Sequence, residues 1–346
     1  MQVMRYLLSI LIVSIISSCN NSDIAEKKIL PDAIGSFSKV LVICKEQEWE
    51  LGLQKTVSKV LSKEIEGLIK IENEFGLNQV SAQSFNKILK KHRAVLMIAI
   101  SKRIKTASLV KRADVYANGQ KYVQVKAPNL ESAIEIIEKN ARQIFTEFDR
   151  HRSKTIQNTI NKKGSKKVRN RLKSYHAISL SVPSGYKVET DTNDFIYFYK
   201  KGIKNCEYGR SSDCVYHTGF MVYSFPYYSE KVFSPIFMAN KRDSLTKLFI
   251  EGTSTNSVMK AYMQIENILP ISHKNISINK KFGYKMKGWW KMKNGIMGGP
   301  FVNVSIVDQA RNRVICVDGF TFAPNFDKRQ FVKEMEAICL SVKTVQ

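Results

Sequence analysis

Hydrophobic positions in the first part of the chain follow two periods. Short apolar runs at 39–44 and 94–100 predict buried strands, and alternation over 121–127 predicts a third strand. Apolar residues at three- to four-residue steps over 53–68 predict an amphipathic helix, and a second helix is predicted over 85–91. This order of strands and helices predicts an α/β sandwich.

A long helix is predicted to follow Asn129, whose side chain can cap it. Its apolar stripe runs from Leu130 to Phe148 and then thins, and Gly164 is expected to end or break the helix.

The second part of the chain is rich in strand-like segments that turn signals separate. These strands are predicted at 176–182, 195–200, 219–225, 259–268, 282–290, 300–307 and 313–321. Helices are predicted from Ser234-Pro235 to about Phe249 and over about 326–342. The sequence therefore predicts an α+β protein with two α/β-sandwich-type halves, mostly antiparallel sheets and a long basic helix joining them.

The N-terminus has the pattern of a lipoprotein signal peptide over residues 1–18. Arg5 precedes an apolar run over 6–16, which is too short to span about 30 Å of hydrocarbon. The run ends at Ile16-Ser17-Ser18-Cys19, which is the pattern of a bacterial lipobox. The alternative is an ordinary signal peptide with a Cys at this position by chance.

The lipobox predicts a cell-envelope protein that palmitate-type acyl chains on Cys19 hold to a membrane, with inner and outer membrane both open. We expect a tether over 19–30, an N-terminal half over 31–170 and a C-terminal half over 171–346. Cys206 and Cys214 flank a polar loop and are the best candidate pair for a disulfide in an exported protein. The other cysteines lie in apolar runs and are expected in the core: Cys44, Cys316 and Cys339.

The formal net charge of +25 suggests nucleic acid as a partner, but the excess is spread along the chain and an exported protein seldom meets nucleic acid. The exception is the segment 150–173, which holds ten Lys or Arg residues and no Asp or Glu. One interpretation is a polybasic arm that contacts anionic lipid or envelope polysaccharide. The other is a solvated helix end in a lysine-rich chain.

Signatures of common catalytic, nucleotide-binding and metal sites are absent from the sequence, so no cofactor and no metal are expected. The segment Met297-Gly298-Gly299-Pro300 predicts an unusual backbone, either a bulge or turn before the next strand or a turn whose amides hold an anion. Trp289 and Trp290 should face opposite sides of a strand, with one in the core and the other exposed beside lysines.

Charged residues of the second half allow two interpretations. Arg242, Asp243, Lys328 and Arg329 are expected to form structural salt bridges. A hydrolase or modifying enzyme would instead need Arg242, Asp318, Lys328 and Glu336 to converge in one pocket.

Several short motifs together resemble one protein family. They are the lipobox, Leu30-Pro31, KVLVIC leading to Trp49, Pro183-x-Gly185-Tyr186, Phe225-Pro226-Tyr227, Arg242-Asp243, Gly288-Trp289-Trp290, Met297-Gly298-Gly299-Pro300-Phe301, Asp318-Gly319-Phe320, Lys328-Arg329 and Glu336-Ala337-Ile338. The chain resembles the DUF4837 lipoproteins, and this resemblance implies an envelope lipoprotein without implying an activity. The second half is also similar in its element order to photosystem-P-like domains.

The function expected from the sequence is therefore a lipid-anchored envelope protein with a non-enzymatic binding or structural role. The alternatives are a polyanion or surface-glycan binder that uses the segment 150–173, and an unrecognised envelope hydrolase or modifying enzyme.

Overall fold

The computed structural model describes residues 29–209, 212–252, 254–255 and 259–345. The predicted signal peptide and Cys19 lie outside these residues. No helix among them is long and apolar enough to cross a lipid bilayer.

A five-stranded sheet forms the core of the first part, in the order β2-β1-β3-β5-β4. The strands are β1 (Lys39–Ile43), β2 (Gly76–Val80), β3 (Ala94–Ile100), β4 (Ser108–Ala113) and β5 (Lys121–Ala127). Their pairs are parallel except for β4 with β5, so the expected antiparallel pattern is wrong for this half. The reason is that the connections after β1 and β2 are long enough to return the chain to the same edge of the sheet. β5 is parallel to β3 because the chain reverses direction twice, on entering and on leaving β4.

The first helical segment is shorter than the apolar pattern predicted. Helical turns at Glu46–Glu48 and Trp49–Leu53 lead into α1 (Gln54–Leu61), whereas the pattern continued to residue 68. The helix ends because the Ser62 hydroxyl donates to the Phe75 carbonyl, and Ile65 is buried from a loop instead. The helix predicted over 85–91 is one 3₁₀ turn, Leu89–Lys91.

Three consecutive helices then join the two parts of the chain: α2 (Leu130–Lys139), α3 (Ala141–Lys163) and α4 (Lys166–His176). The Asn129 side chain caps α2 by accepting from the Ser132 amide at 2.9 Å, as the sequence predicted. The N-terminal part of α3 packs into the first core and its C-terminal part into the second. Gly164 breaks the helix where a Cβ would lie 2.5 Å from the Val182 carbonyl oxygen.

A nine-stranded sheet forms the second part, and all its pairs are antiparallel. Its strands are β7 (Lys187–Asp191), β8 (Phe195–Asn205), β9 (Asp213–Pro226), β10 (Glu251–Gly252), β11 (Ala261–Glu266), β12 (Ser272–Ile278), β13 (Lys281–Lys293), β14 (Gly298–Asp308) and β15 (Arg313–Phe322). They follow the order β10-β11-β13-β14-β15-β9-β8-β7, and β12 also pairs with β13. The strand predicted over 176–182 is reduced to β6 (Ile178–Ser179), which pairs with β16 (Lys343–Thr344).

One helix covers each face of this sheet: α5 (Pro235–Phe249) and α6 (Arg329–Cys339). Along β14, Val302 and Val304 face α6, whereas Asn303 and Ser305 face α5, as the two-residue period of a strand requires. The α+β class predicted from the sequence is therefore confirmed.

A continuous chain of buried charges links the two parts. We call it the ionic chain: Lys285 and Lys287 of β13, Glu336 and Lys333 of α6, Glu74 before β2, and Arg152 and Asp149 of α3. The Lys333 ammonium lies 2.9 Å from Glu336 and 2.6 Å from Glu74, and the Arg152 guanidinium lies 2.7 Å from Glu74. The burial of Glu336 opposes its ionisation, but the lysine ammoniums outweigh burial and hold the pKa of Glu336 well below its usual range.

A second carboxylate from the first part caps α6. The amides of Lys328 and Arg329 donate to the two carboxylate oxygens of Glu72 at 2.6 and 2.8 Å. A carboxylate at this end of a helix is stabilised by the helix dipole as well as by the hydrogen bonds.

We expect Glu336→Gln to lower the free energy of unfolding by about 3–5 kcal/mol, because Lys285, Lys287 and Lys333 lose the carboxylate that all three contact. The measurement is urea unfolding. Burial also opposes the ionisation of Glu74, but Lys333 and Arg152 lower the pKa of Glu74, as the three lysines do for Glu336. Both carboxylates therefore stabilise the fold above pH about 4.3, and this contribution falls as the pH drops toward the lowered pKa values.

The control for this variant is Glu135→Gln on the exposed face of α2, which should change stability by less than about 0.5 kcal/mol. An equal loss in both variants, or an unchanged acid unfolding curve for Glu336→Gln, would contradict the role of the ionic chain.

Candidate functional site

A cleft of about 640 Å³ opens on the α5 side of the large sheet. We call it the aromatic cleft, because most of its lining is aromatic or sulfur-containing. It is lined by Glu189, Thr190, Tyr197, Tyr199, His217, Leu248, Phe249, Ile250, Glu251, Gly252, Met263, Trp290, Met292, Met297, Phe320 and Phe322. The end of α5, β10 and the strands β7, β8, β9, β11, β13 and β15 thus supply its walls.

The polar groups of the aromatic cleft are few and lie mainly on one wall. The Tyr199 hydroxyl is hydrogen-bonded to Nδ1 of His217, a residue of β9. Burial and the charge of Lys201 lower the pKa of His217, so its imidazole is neutral at pH 7. Burial and nearby Glu189 raise the pKa of Tyr199, so its phenol stays protonated. Apart from the carboxylate of Glu189, this wall therefore offers uncharged donors and acceptors beside aromatic rings.

Thioethers and aliphatic groups dominate the other wall. Met263 and Met292 come from β11 and β13, Met297 comes from the turn that joins β13 to β14, and Leu248 and Ile250 flank Phe249 at the end of α5. Such side chains have several rotatable bonds and adapt to ligands of irregular shape.

Trp290 lies at the base of the cleft and is fully buried, and its indole Nε1 has no hydrogen-bond partner among the described residues. Its ring meets Phe320 edge to face at 5.5 Å between centroids. A buried N–H group without a partner costs free energy, so an acceptor supplied by a bound molecule would stabilise this position.

A buried ion pair lies beneath the cleft. The Arg242 guanidinium of α5 donates to both oxygens of Asp318 on β15, at 2.9 and 3.2 Å, and also lies 3.5 Å from the sulfur of Met263. Asn303 donates to Asp318 at 3.0 Å. Burial raises the pKa of Asp318, and Arg242 and Asn303 oppose this shift.

The residue after Arg242 also fixes α5 to the sheet. The Asp243 carboxylate accepts from the Ile265 amide at 2.9 Å, and the Thr246 hydroxyl donates to the Met263 carbonyl at the same distance. Arg242 and Asp243 thus have separate partners, as expected of adjacent helical residues. Through them the position of α5, and with it one wall of the cleft, is set by β11 and β15.

The glycines and the proline of the glycine-rich motif belong to a strand, and only Met297 lies in the turn before it. Gly298 and Gly299 pair with Lys291 and Trp290 of β13, and Pro300 pairs with Trp289. A Cβ on Gly299 would lie 1.9 Å from the Thr321 carbonyl oxygen. The glycine is required by this close backbone approach, which the sequence pattern alone could not distinguish from a turn.

The two tryptophans face opposite sides of β13, as predicted, but the predicted exposed lysine surface is wrong. Trp290 is buried, and Trp289 packs partly buried against the core that contains α6. The neighbouring Lys285 and Lys287 belong to the ionic chain, and Lys291 pairs with Glu266.

Other candidate residues lie away from the aromatic cleft. Trp49 packs partly buried against the first core. Lys328 and Arg329 sit at the start of α6, where their amides bind Glu72. Cys206 and Cys214 form a disulfide with 5.1 Å between their Cα atoms.

The polar residues considered for a hydrolase do not converge. Arg242 pairs with Asp318 beneath the cleft, Glu336 lies in the ionic chain, and the Lys328 ammonium donates to the Phe326 carbonyl. Within the described ranges, no group of three or more His, Cys, Asp or Glu residues is placed to hold a metal ion.

A second cleft of about 630 Å³ lies between the 3₁₀ turn Glu230–Phe233 and the β12–β13 hairpin, and includes Phe282. It contains none of the candidate functional residues named from the sequence. The aromatic cleft contains Trp290 and Met297, and it is therefore the candidate functional site. Its other lining residues were missed because they are scattered over eight strands and helices.

Comparison with protein families identifies the family of the second part of the chain. A family described as a domain of unknown function (DUF4837) matches residues 165–341. The chain belongs to the DUF4837 family. A different domain of unknown function (DUF8532) matches residues 33–161, so Leu30-Pro31 and the segment from KVLVIC to Trp49 lie outside the DUF4837 match.

No curated protein matches this DUF4837 member. Three solved structures each align with 49% of the chain. The Ran-binding protein Mog1p of Saccharomyces cerevisiae aligns over 91% of its length with 8% identity and a TM-score of 0.30. A mutant of Mog1 aligns over 92% with 10% identity and a TM-score of 0.28, and a Bacteroides thetaiotaomicron protein over 46% with 10% identity and a TM-score of 0.20. Similarity at this level assigns neither fold nor function.

We expect Asp318→Asn to lower the free energy of unfolding by about 3–5 kcal/mol, because it leaves the buried Arg242 without its hydrogen-bonded counter-charge and with only the Asp243 carboxylate, 3.7 Å away. The double variant Arg242→Met with Asp318→Asn should lose less than the single variant, since no unpaired charge remains. Urea unfolding measures both. A double variant less stable than Asp318→Asn would contradict this interpretation of the pair.

Proposed function

We propose that this protein is a lipid-anchored, non-enzymatic binding protein of the cell envelope, and that the aromatic cleft holds its ligand. The observation that carries the proposal is the cleft itself, a concave site of about 640 Å³ with an apolar lining and a few grouped polar atoms. Ligand sites in proteins have volumes of about 300–1,000 Å³ and this mixture of groups.

The charge of the lining residues limits the class of ligand that fits the cleft. None of the lining residues that the structure describes is Lys or Arg, although the chain carries a net charge of +25. A polyanion is therefore a poor occupant, and an uncharged molecule with an apolar surface and a hydrogen-bonding edge suits the two walls.

The envelope location rests on the sequence. The apolar run over 6–16 and the lipobox at Ile16-Ser17-Ser18-Cys19 support export and acylation. The Cys206–Cys214 disulfide is in keeping with an oxidising compartment.

The neutral fluorescent probe N-phenyl-1-naphthylamine should bind the aromatic cleft with a saturable rise in emission. Phe322→Ala combined with Met297→Ala should weaken this binding by about tenfold or more, because both changes remove apolar contact area. A fluorescence titration measures the dissociation constant, and circular dichroism checks that the fold is intact.

The matched control is Phe282→Ala, which lines the second cleft and should leave probe binding unchanged. Binding that fails to saturate, or that is lost equally in the control, would remove the aromatic cleft as the ligand site.

Replacing Cys19 by Ala should move the protein out of the membrane fraction and abolish metabolic labelling with palmitate. Fractionation after an alkaline wash measures the first effect. Ser22→Ala, three residues further along the predicted tether, is the control and should stay in the membrane fraction. A Cys19→Ala variant that remains there would contradict the lipid anchor.

A further inference from the structure

Four lysines surround the bend between α3 and α4. Lys162 and Lys163 end α3, Lys166 and Lys167 begin α4, and Gly164 lies between the pairs. We call these four residues the lysine corner. All four are exposed, and no ion pair joins any of them to a carboxylate of the described residues.

Three of the arginines on these two helices are engaged. Arg152 belongs to the ionic chain, Arg171 pairs with Asp191 at 2.6 Å, and an Arg169 nitrogen donates to the Asn161 carbonyl at 3.1 Å. The lysine corner is the densest group of cations without an ion pair among the described residues, and the others are spread along the two helices: Arg142, Arg150, Lys154 and Lys173.

The bend holds the four lysines in a fixed arrangement. Ile160 and Leu172 are buried on either side of it, and the Ser165 hydroxyl caps α4 through the Val168 amide at 3.3 Å. The close approach of Gly164 to the Val182 carbonyl leaves no room for a side chain there. The corner is thus built into the core of the second part and is not a free tail.

The helix dipoles favour only half of the lysine corner. Lys162 and Lys163 lie in the last turn of α3, where the dipole is negative and favours cations. Lys166 and Lys167 occupy the first turn of α4, where the helix dipole is positive and disfavours cations. The two pairs also repel each other across the bend. A binding role accounts for the pair at the start of α4, which stability alone would disfavour.

The path of the chain places the corner near the predicted anchor. The Asn118 amide nitrogens donate to the carbonyls of Pro31 and Leu30 at 2.8 Å, and the His151 ring of α3 lies beside the backbone of neighbouring Gly119. From His151 to Lys163, α3 extends about 18 Å. The tether from Cys19 to residue 29 reaches at most about 35 Å, so a bilayer that holds Cys19 is within reach of the corner.

We propose that the lysine corner docks on anionic phospholipid headgroups of the membrane that holds the anchor. This inference rests on the lipid anchor of the proposed function. Headgroup phosphates are favoured over an envelope polysaccharide because the anchor keeps the corner at a bilayer surface. Each lysine near such a surface strengthens binding by about fivefold.

The test is co-sedimentation of the full-length chain with phosphatidylcholine vesicles that contain either no phosphatidylglycerol or 30 mol% of it. The variant carries Lys162→Gln, Lys163→Gln, Lys166→Gln and Lys167→Gln. Its preference for the anionic vesicles should fall by roughly two orders of magnitude at low salt. Raising the salt concentration should weaken binding of the parent chain and have little effect on the variant.

The matched control removes the same charge elsewhere, with Lys102→Gln, Lys105→Gln, Lys281→Gln and Lys293→Gln, all exposed. It should bind nearly as the parent does. The melting temperature of the corner variant should be equal to or above that of the parent, which separates loss of docking from loss of folding.

Two results would overturn the proposal: an equal loss of vesicle binding in the control, or no loss of vesicle binding in the corner variant. If the corner variant keeps vesicle binding but no longer binds the polysaccharide alginate, the corner is assigned to a polysaccharide. If Cys19→Ala stays in the membrane fraction while the corner variant loses vesicle binding, the anchor is wrong and the docking surface stands.

Discussion

The arrangement of the two parts of the molecule depends on the carboxylate of Glu74. It lies between the Arg152 guanidinium of α3 and the Lys333 ammonium of α6, each less than 3 Å away. It is the carboxylate that both cations share, because each one's other partner lies on its own helix, Asp149 for Arg152 and Glu336 for Lys333. The cost of removing a charge from water is recovered only by partners at contact distance. Lys333 also holds Glu336 beneath the large sheet, so one anion fixes a helix from each part.

The helix α3 makes this contact rigid, because apolar residues on both sides of Arg152 are buried in different cores. Phe148 belongs to the core of the small sheet and Ile156 to that of the large sheet. Two neighbouring turns of α3 are therefore buried in different cores, and the Arg152 guanidinium lies between these cores. Because α6 then covers one face of the large sheet, the other face is left to α5 and the aromatic cleft.

The sequence predicted those elements whose pattern is local. The end of α5 at Phe249 and the cap at Asn129 were both predicted, because a helix period and a capping residue are visible within a few positions. The parallel pairing of the small sheet was not predicted, since strand direction depends on connections that an apolar pattern does not describe. The ionic chain was missed for a similar reason: Glu74 and Lys333 are 259 positions apart. Of the cleft, Trp290 and Met297 were singled out, but the wall containing His217 required knowledge of the strand order.

The net charge of +25 takes on a different meaning once each cation is placed. Arg152, Lys287, Lys333 and Arg242 are buried and face carboxylates, so their charge is cancelled within the fold. The aromatic cleft is lined by no cation among the residues described. The remaining positive charge lies on the surface. At the bend after α3, Lys166 and Lys167 lie at the positive end of the dipole of α4. Lysines that only reflect a compositional bias are expected at positions where they lower the stability of the fold least. Lys166 and Lys167 of the lysine corner are placed where they cost stability, beside the glycine that fixes the geometry of the corner, and this argues that the position of these charges is functional.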